Sequence, residues 1–151
     1  MRVCIDDSCS PFTVATFIVH DEGITNSKVA EVSSEGYIGY NNLVIIIDPN
    51  HTFVGVGIED DAQKLLEDCS LRVANILELR SLAVEKLLDP ALKTYGLKTL
   101  CLRVLGLQME KPKKISRSKW DNLWLTPEQV HYAAIDAFVS FEIARRLSST
   151  N

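Results

Sequence analysis

Tyr132 and Asp136 are the two polar side chains in this sequence whose spacing best suits chemistry. They stand four residues apart in a segment with helical periodicity, so the phenol and the carboxylate lie one turn apart on the same helix face. Asp136 falls at the edge of the apolar face. Removing an unpaired carboxylate from water is costly, and a bound cation is one way to offset that cost. The pair indicates either a cation site or a satisfied structural contact of an ordinary domain.

Asp61 is a second candidate carboxylate, at the junction of a predicted strand and a predicted helix. The segment 53–58, FVGVGI, is typical of a strand, and its alternate glycines indicate close packing or the approach of a ligand. Three acidic residues follow, which the helix dipole favours whatever their function. Asp61 precedes Leu65 by four residues and is predicted to face the core side, whereas Asp60 is predicted to face outward or to cap the helix.

A basic segment at 110–121, EKPKKISRSKWD, is predicted to be a loop and carries five cations and two acids. Two interpretations fit it equally well. It is either a solvated loop that aids solubility or a loop that contacts phosphates, with a tryptophan packed or stacked beside the cations. The candidate nucleic-acid-binding residues are Lys111, Lys113, Lys114, Arg117, Lys119 and Trp120.

The helix that must position Tyr132 and Asp136 is predicted over 126–147. Thr126 is placed to cap it, a proline occupies the first helical position, and Gln129 completes a capping box. Apolar residues recur at helical spacing and predict a stripe that faces the core. These residues are Val130, Ala133, Ala134, Ala137, Phe138 and Phe141.

The upstream sequence alternates between strand-like and helix-like segments. Residues 12–20 and 43–47 are typical of strands, and 73–88 begins as a strand and continues as a helix. Residues 97–105 form an amphipathic helix with Gly106 in the stop position. This order predicts an α/β fold with a mixed sheet and the helix at 126–147 packed across it.

Composition is that of a single domain of 151 residues with a formal net charge of −4. No overall positive field therefore attracts nucleic acid, and a polyanion would need a local basic patch or metal ions. The apolar runs are too short to span a membrane, and acidic residues near Met1 do not suit a secretory leader. We expect a protein inside the cell, in the nucleus or the cytoplasm.

The four cysteines show no zinc-binding spacing. Reduced thiols are the default in a chain of this kind. Cys69 and Cys101 fall on apolar helical faces and are predicted to be small core residues.

Three blocks of the sequence, taken in order, resemble a known family: FVGVGIEDDAQKLLED, GLKTLCLRVLG and SKWDNLWLTPEQVHYAAIDAFVSFEIARRL. They resemble the 3′-5′ exonucleases of the DEDDy type, Werner-type and ribonuclease D-like, in particular the small plant exonuclease-domain proteins. The resemblance covers residues 48–147. Its last block is highly specific, because the TPEQ start, the Y-x-x-x-D pair and an aromatic-rich continuation occur together.

The resemblance implies a ribonuclease H-like α/β fold, a mixed sheet flanked by helices, and hydrolysis of phosphodiester bonds from single-stranded 3′ ends of DNA or RNA. It also implies two divalent ions, Mg²⁺ or Mn²⁺. Asp136 resembles the third-motif carboxylate that ligates a metal, and Tyr132 resembles the tyrosine that orients the attacking water. Asp61 resembles the second-motif aspartate, which reaches the metals largely through water.

The first motif of that family, D-x-E at the end of a strand, is absent from the sequence. Two metal ions about 3.5 to 4 Å apart need several anionic oxygens to hold them. Two functions therefore fit the resemblance: an exonuclease in which another acid substitutes, or a non-catalytic exonuclease-like module that binds nucleic acid or a protein. We predict poorly matched strands over 1–50, an exonuclease-like core over 51–151, and a fold incomplete at its N terminus.

Overall fold

The computed structural model describes residues 51–69, 72–120 and 125–149, together with the backbone of three short strands nearer the N terminus. The strands are β1 Arg2–Val3, β2 Phe12–Thr13, β3 Phe17–His20, β4 His51–Gly55 and β5 Asn75–Glu78. The helices are α1 Ile58–Cys69, α2 Leu79–Leu87, α3 Leu97–Leu100, α4 Lys113–Ser116 and α5 Pro127–Ser148. A 3₁₀ helix at Pro90–Thr94 and a π-helical turn at Cys101–Leu105 complete the described elements. The predicted strand at 43–47 lies outside the described residues.

The sheet is mixed, as predicted, with β4 between two neighbours of opposite direction. β3 pairs with β4 antiparallel, and β5 pairs with β4 parallel. Because a parallel pair needs a crossover connection, the chain leaves β4 through α1 before it returns as β5. β1 and β2 form a separate antiparallel pair. The described part of the chain is therefore a mixed α/β structure.

The turn from β4 into α1 occurs earlier than predicted, because the strand ends at Gly55 and the helix begins at Ile58. Gly57 adopts a φ of 75°, a left-handed conformation that is strained for other residues. A Cβ atom at Gly55 would lie 3.4 Å from Ile58 Cβ, which is ordinary contact. Gly57 thus serves the tight turn, whereas the space at Gly55 does not by itself require glycine.

Glu78, at the end of β5, ties this turn to the next helix. Its Oε2 accepts the backbone N–H groups of Gly57 at 2.6 Å and of Ile58 at 3.3 Å. Its Oε1 accepts the backbone N–H of Arg80 at 3.3 Å and the Arg80 Nε–H at 2.8 Å. The side chain is 9% exposed. Burial alone would raise the pKa of Glu78, but these hydrogen bonds outweigh burial and hold the pKa below its ordinary value.

The helix α5 packs against β3, β4, α2 and the π-helical turn. Ala137 and Phe141 are buried, as predicted. The predicted stripe is nevertheless wrong at Val130, Ala134 and Phe138, which are exposed. The helix turns a neighbouring stripe to the core instead, and the C-terminal residues of that stripe share one hydrophobic cluster with the buried residues of α2. The buried residues of α5 are Gln129, Ala137, Ser140, Phe141, Ile143, Ala144 and Leu147.

Cys101 is buried in the hydrophobic core beside Leu100, which confirms its prediction as a core residue. Burial raises the pKa of its thiol. The side chain of Cys69 lies outside the described part of the structure. Among the helices that the structure describes, none is both long enough and apolar enough to cross a membrane.

Replacing Glu78 with glutamine should lower the free energy of unfolding by about 1 to 3 kcal/mol, because glutamine has one acceptor oxygen in place of two and leaves buried N–H groups unpaired. The folded-state pKa of Glu78 is depressed, so its stabilising contribution is present above the unfolded value of about 4.3. That contribution is lost as the pH falls through the folded value. Denaturant titrations followed by circular dichroism, at neutral and acidic pH, measure both effects.

The matched control is Glu142→Gln, which removes a more exposed ion pair with Arg145. Such pairs contribute about 1 kcal/mol or less, so this variant should stay close to the wild type. Equal losses of stability in the two variants would contradict the role given to Glu78.

Candidate functional site

The start of α5 is built by a capping box, as predicted from the sequence. The Thr126 N–H donates to Gln129 Oε1 at 2.9 Å, and the Gln129 N–H donates to Thr126 Oγ1 at 3.3 Å. Pro127 occupies the first helical position, where its missing N–H costs nothing. The entry of the chain into α5 is therefore specified by local hydrogen bonds.

The buried side chain of Gln129 also fastens the basic segment to α5. Its Nε2 donates to Ser118 Oγ at 2.9 Å and to the Lys119 carbonyl oxygen at 3.0 Å. Both ends of the amide are thus satisfied, one by the helix cap and the other by the segment that precedes it. This contact holds residues 111–120 beside the first turns of α5.

Four side chains from these two segments form one contact cluster, Lys111, Trp120, Tyr132 and Asp136, which we call the α5 cluster. Lys111 Nζ lies 2.7 Å from Asp136 Oδ2 and 5.5 Å from the centroid of the Tyr132 ring. The rings of Trp120 and Tyr132 are 5.8 Å apart and tilted by 54°. Tyr132 therefore contacts both an indole ring and an ammonium group.

Asp136 is only partly satisfied by this arrangement. Its Oδ1 is buried and has no hydrogen-bond partner among the described residues, whereas its Oδ2 accepts from Lys111. Burial raises the pKa of Asp136, while the hydrogen bond and the charge of Lys111, and a weaker interaction with the Tyr132 hydroxyl, act in the opposite direction. An anionic oxygen that is buried with open lone pairs can accept a cation or a water molecule.

Asp61 lies in the first turn of α1 and is exposed, as is Asp60. The prediction that Asp61 faces the core side is therefore wrong, because the start of α1 is at the surface. Neighbouring protein nevertheless removes enough water from the carboxyl to raise the pKa of Asp61 above its ordinary value.

The described side chains can be compared with the ligands that a metal ion needs. Among these residues there is no group of three or more His, Cys, Asp or Glu side chains able to hold a metal ion. Two metal ions need several anionic oxygens, so the described residues do not by themselves fit a two-metal site. Asp136, with its open buried oxygen, fits as a single ligand.

The six candidate nucleic-acid-binding residues divide into two groups. Lys111 and Trp120 are partly buried in the α5 cluster, and the Trp120 indole N–H donates to the Ser116 carbonyl oxygen at 3.3 Å. The segment is also not wholly a loop, because it contains the short helix α4. The remaining cations are exposed on and after α4: Lys113, Lys114, Arg117 and Lys119.

A cavity of about 520 Å³ opens between the basic segment and α5. Asp136 and Tyr132 form part of its wall, together with His131 and Ile135, which the sequence reasoning missed. Their spacing of four residues, on a helix face next to the predicted apolar stripe, is the sequence pattern that could have indicated them. The other lining residues are Met109, Glu110, Pro112, Ile115, Pro127 and Glu128.

A family model described as 3′-5′ exonuclease matches residues 17–150 of the chain. The bifunctional 3′-5′ exonuclease/ATP-dependent helicase WRN of Mus musculus is 41% identical over 95 residues, 63% of this chain and 7% of that protein. The exonuclease 3′-5′ domain-containing protein 2 of Homo sapiens is 40% identical over 98 residues, 65% of this chain and 16% of that protein. A 3′-5′ exonuclease of Arabidopsis thaliana is 30% identical over 103 residues, 68% of this chain and 35% of that protein.

The chain thus spans about a third or less of the length of these relatives. Among solved structures, the EXD2 exonuclease domain soaked in Mn is 33% identical, with a TM-score of 0.35, over 79% of this chain and 60% of that chain. A further crystal structure of the EXD2 exonuclease domain is 26% identical, with a TM-score of 0.35, over 99% of this chain and 74% of that chain. Crystals of that domain were also soaked in Mn and Mg together.

Replacing Gln129 with leucine should loosen the basic segment, because Ser118 and the capping N–H of Thr126 lose buried partners. A loss of about 1 to 2 kcal/mol corresponds to a roughly 5- to 30-fold rise in local opening. Limited trypsin digestion measures this directly, since the segment offers several lysine and arginine sites. We expect faster cleavage within residues 111–119, with the helical signal retained at the start of digestion.

The control for this experiment is Glu128→Gln, an exposed substitution in the same first turn of α5. It leaves the contacts of Gln129 in place, so its rate of cleavage should match the wild type. Unchanged cleavage in Gln129→Leu would show that the segment is held by other contacts.

Proposed function

Because the chain belongs to the 3′-5′ exonuclease family, we propose that it binds single-stranded 3′ ends of DNA or RNA and hydrolyses their phosphodiester bonds with the help of divalent metal ions. The α5 cluster is the observation that carries this proposal. It joins a basic segment to the tyrosine and aspartate that resemble the third family motif. The proposal includes a ribonuclease H-like arrangement of the sheet and helices, for which the mixed sheet is support.

In this proposal Tyr132 orients the attacking water through its phenol. Its ring is confined by Trp120 at 5.8 Å and by the Lys111 ammonium at 5.5 Å, which limits the positions that the hydroxyl can take. Holding a reacting group in one orientation is a large part of what a catalytic site contributes. Asp136 and Asp61 are the proposed metal-binding carboxylates, with Asp61 acting through water from the surface of α1.

The strand is proposed to approach along α4. Lys113, Lys114, Arg117 and Lys119 are exposed there, and phosphates are the ligands that a cluster of exposed cations favours. The net charge of −4 makes this local patch important, because the chain as a whole repels a polyanion. The ring of Trp120 lies where the patch meets the α5 cluster, which suits contact with a base.

Mg²⁺ or Mn²⁺ is the proposed cofactor, by resemblance to the family and to a domain whose crystals were soaked in Mn and Mg. Such ions stabilise the entering and leaving oxygens of a phosphodiester when they are bound. Among the described residues, Asp136 and the exposed Asp61 are the proposed ligands of these ions. The proposal requires further ligands in addition to these two.

The exonuclease function is tested with a 5′-labelled single strand and Mn²⁺. We expect a ladder of shortened products that Asp136→Asn abolishes, because the buried carboxylate loses its charge. Tyr132→Phe should slow the reaction by about 100-fold if the hydroxyl positions the water. Glu142→Gln is the control, and a ladder that persists unchanged in Asp136→Asn would contradict the proposal.

A second function, binding without cleavage, is favoured by two observations: Asp136 Oδ2 is already paired with Lys111, and the sequence lacks D-x-E. In that case the protein retains the labelled single strand of nucleic acid on a filter, and no ladder of shortened products forms. Retention should weaken with salt, and Lys113→Ala/Lys114→Ala should reduce the slope of log affinity against log salt by about 1.4, for two lost phosphate contacts.

The control double variant is Lys93→Ala/Lys98→Ala, which removes two exposed cations from another part of the chain. It changes the net charge equally, so a specific patch predicts a smaller effect on retention. If both double variants weakened retention of the nucleic acid equally, the effect of the lysines on α4 would reflect the net charge and not a specific binding patch.

A further inference from the structure

Ser116 carries the more accessible of the two serine hydroxyls in the basic segment. It is exposed at the C-terminal end of α4, and its Oγ donates a long hydrogen bond to the Lys113 carbonyl oxygen at 3.4 Å. Ser118 is half-buried instead. Its Oγ donates to the Ile115 carbonyl oxygen at 2.6 Å and accepts from Gln129 Nε2 at 2.9 Å. The Ser118 hydroxyl is therefore engaged in the packing of the segment, whereas the Ser116 hydroxyl faces solvent.

Exposed cations surround Ser116 in the sequence. Lys113 and Lys114 precede it by three and two residues, and Arg117 follows it directly. An enzyme with an acidic substrate groove selects a hydroxyl by such cations, because complementary charges favour the correct register of the chain in the groove. The positions three and two residues before Ser118 hold isoleucine and serine, so the charge pattern distinguishes the two hydroxyls as well.

We propose that Ser116 is a phosphorylation site, modified by a protein kinase that selects basic segments, and that its phosphorylation weakens the binding of nucleic acid along α4. In the transfer, Ser116 Oγ bonds to the γ-phosphorus of a nucleoside triphosphate, the bond from that phosphorus to the β-phosphate oxygen breaks, and a nucleoside diphosphate leaves. The hydroxyl proton passes to a carboxylate of the kinase. The effect on binding rests on the proposed function, because it acts on the cations assigned there to the strand.

A phosphoryl group on Ser116 changes the charge of the surface on α4. It brings about −1.5 to −2 charges at pH 7, against four formal positive charges on the exposed Lys113, Lys114, Arg117 and Lys119. Its oxygens also accept charge-assisted hydrogen bonds from lysine and arginine, which withdraws these side chains from a bound strand. The chain already has a net charge of −4, so a strand that loses this local attraction meets a repulsive protein.

A kinase can reach Ser116 by opening α4 alone. The helix is four residues long, and a single helical turn has little stability of its own. The chain that follows stays in place, because the buried Gln129 holds both Ser118 and the carbonyl oxygen of Lys119. Modification of Ser116 therefore leaves the packing of α5 intact.

Ser148 has a similar charge pattern in a different structural setting. Two arginines precede it, but it is the last residue of the 22-residue helix α5. Leu147 lies in the hydrophobic core, and Arg145 pairs with Glu142 at 2.8 Å. Extending this segment into a kinase groove breaks core packing, and a phosphate there lies outside the basic segment. The structure thus favours Ser116, and the test removes Ser148 by substitution.

The first measurement locates the phosphate. The whole chain carrying Ser148→Ala is incubated with magnesium ATP and a purified protein kinase that prefers cations three and two residues before the acceptor. Peptide mass spectrometry should find phosphate on Ser116 and not on Ser118. The Ser116→Ala variant should lose that phosphate, and circular dichroism confirms that each protein is folded. An unmodified Ser116, or equal modification of Ser118, would overturn the proposal.

The second measurement follows retention of a labelled single strand on a filter, after the kinase is removed and divalent ions are chelated. Phosphorylation should reduce the slope of log affinity against log salt by about 1.4, since two phosphate contacts are lost. The Ser116→Ala/Ser148→Ala variant, carried through the same kinase reaction, should bind like the unmodified chain. Equal retention before and after phosphorylation of Ser116 would overturn the effect on binding.

The two measurements separate this proposal from the proposed function. If the unmodified chain retains no strand, the proposed binding of nucleic acid fails and its regulation fails with it, whereas the modification of Ser116 is decided by the mass spectrum. If the chain retains the strand but yields no ladder with Mn²⁺, the proposed hydrolysis fails, and the loss of retention on phosphorylation still decides the effect on binding.

Discussion

The hydrogen bonds of Glu78 are the constraint on which the rest of the described fold depends. The Glu78 carboxylate accepts hydrogen bonds from the backbone N–H groups at the start of α1 and also caps α2. It therefore fixes the points at which β4 and β5 end and the following helices begin. The helix α2 brings Leu79, Leu82 and Ala83 into the core. Because α5 packs on α2, this carboxylate also helps to place the helix that carries Tyr132 and Asp136.

Features specified by neighbouring residues could be predicted from the sequence. The capping box of α5, the stop at Gly106 and the shared face of Tyr132 and Asp136 all arise within one or two helical turns. The orientation of α5 could not be predicted, because two overlapping apolar stripes fit its periodicity and only packing against α2 selects one. The predicted catalytic and metal roles of Tyr132, Asp136 and Asp61 stay predictions.

The basic segment shows why residue type alone does not assign a role. Five cations looked equivalent in the sequence, yet Lys111 pairs with a carboxylate while the others are exposed. This distinction depends on a contact between residues 25 positions apart, which no local pattern contains. Glu78 was missed for the same reason, since its partners at Gly57 and Ile58 lie about twenty positions upstream.

The contacts of the α5 cluster also have a consequence for the order of folding. Lys111 and Asp136 are 25 residues apart, and Gln129 reaches Ser118 across 11, whereas the pairing of β3 with β4 joins segments more than thirty residues apart. Contacts between nearby residues cost less chain entropy and form sooner than distant ones. The contacts of Lys111 with Asp136 and of Gln129 with Ser118 are therefore expected to form before the pairing of β3 with β4.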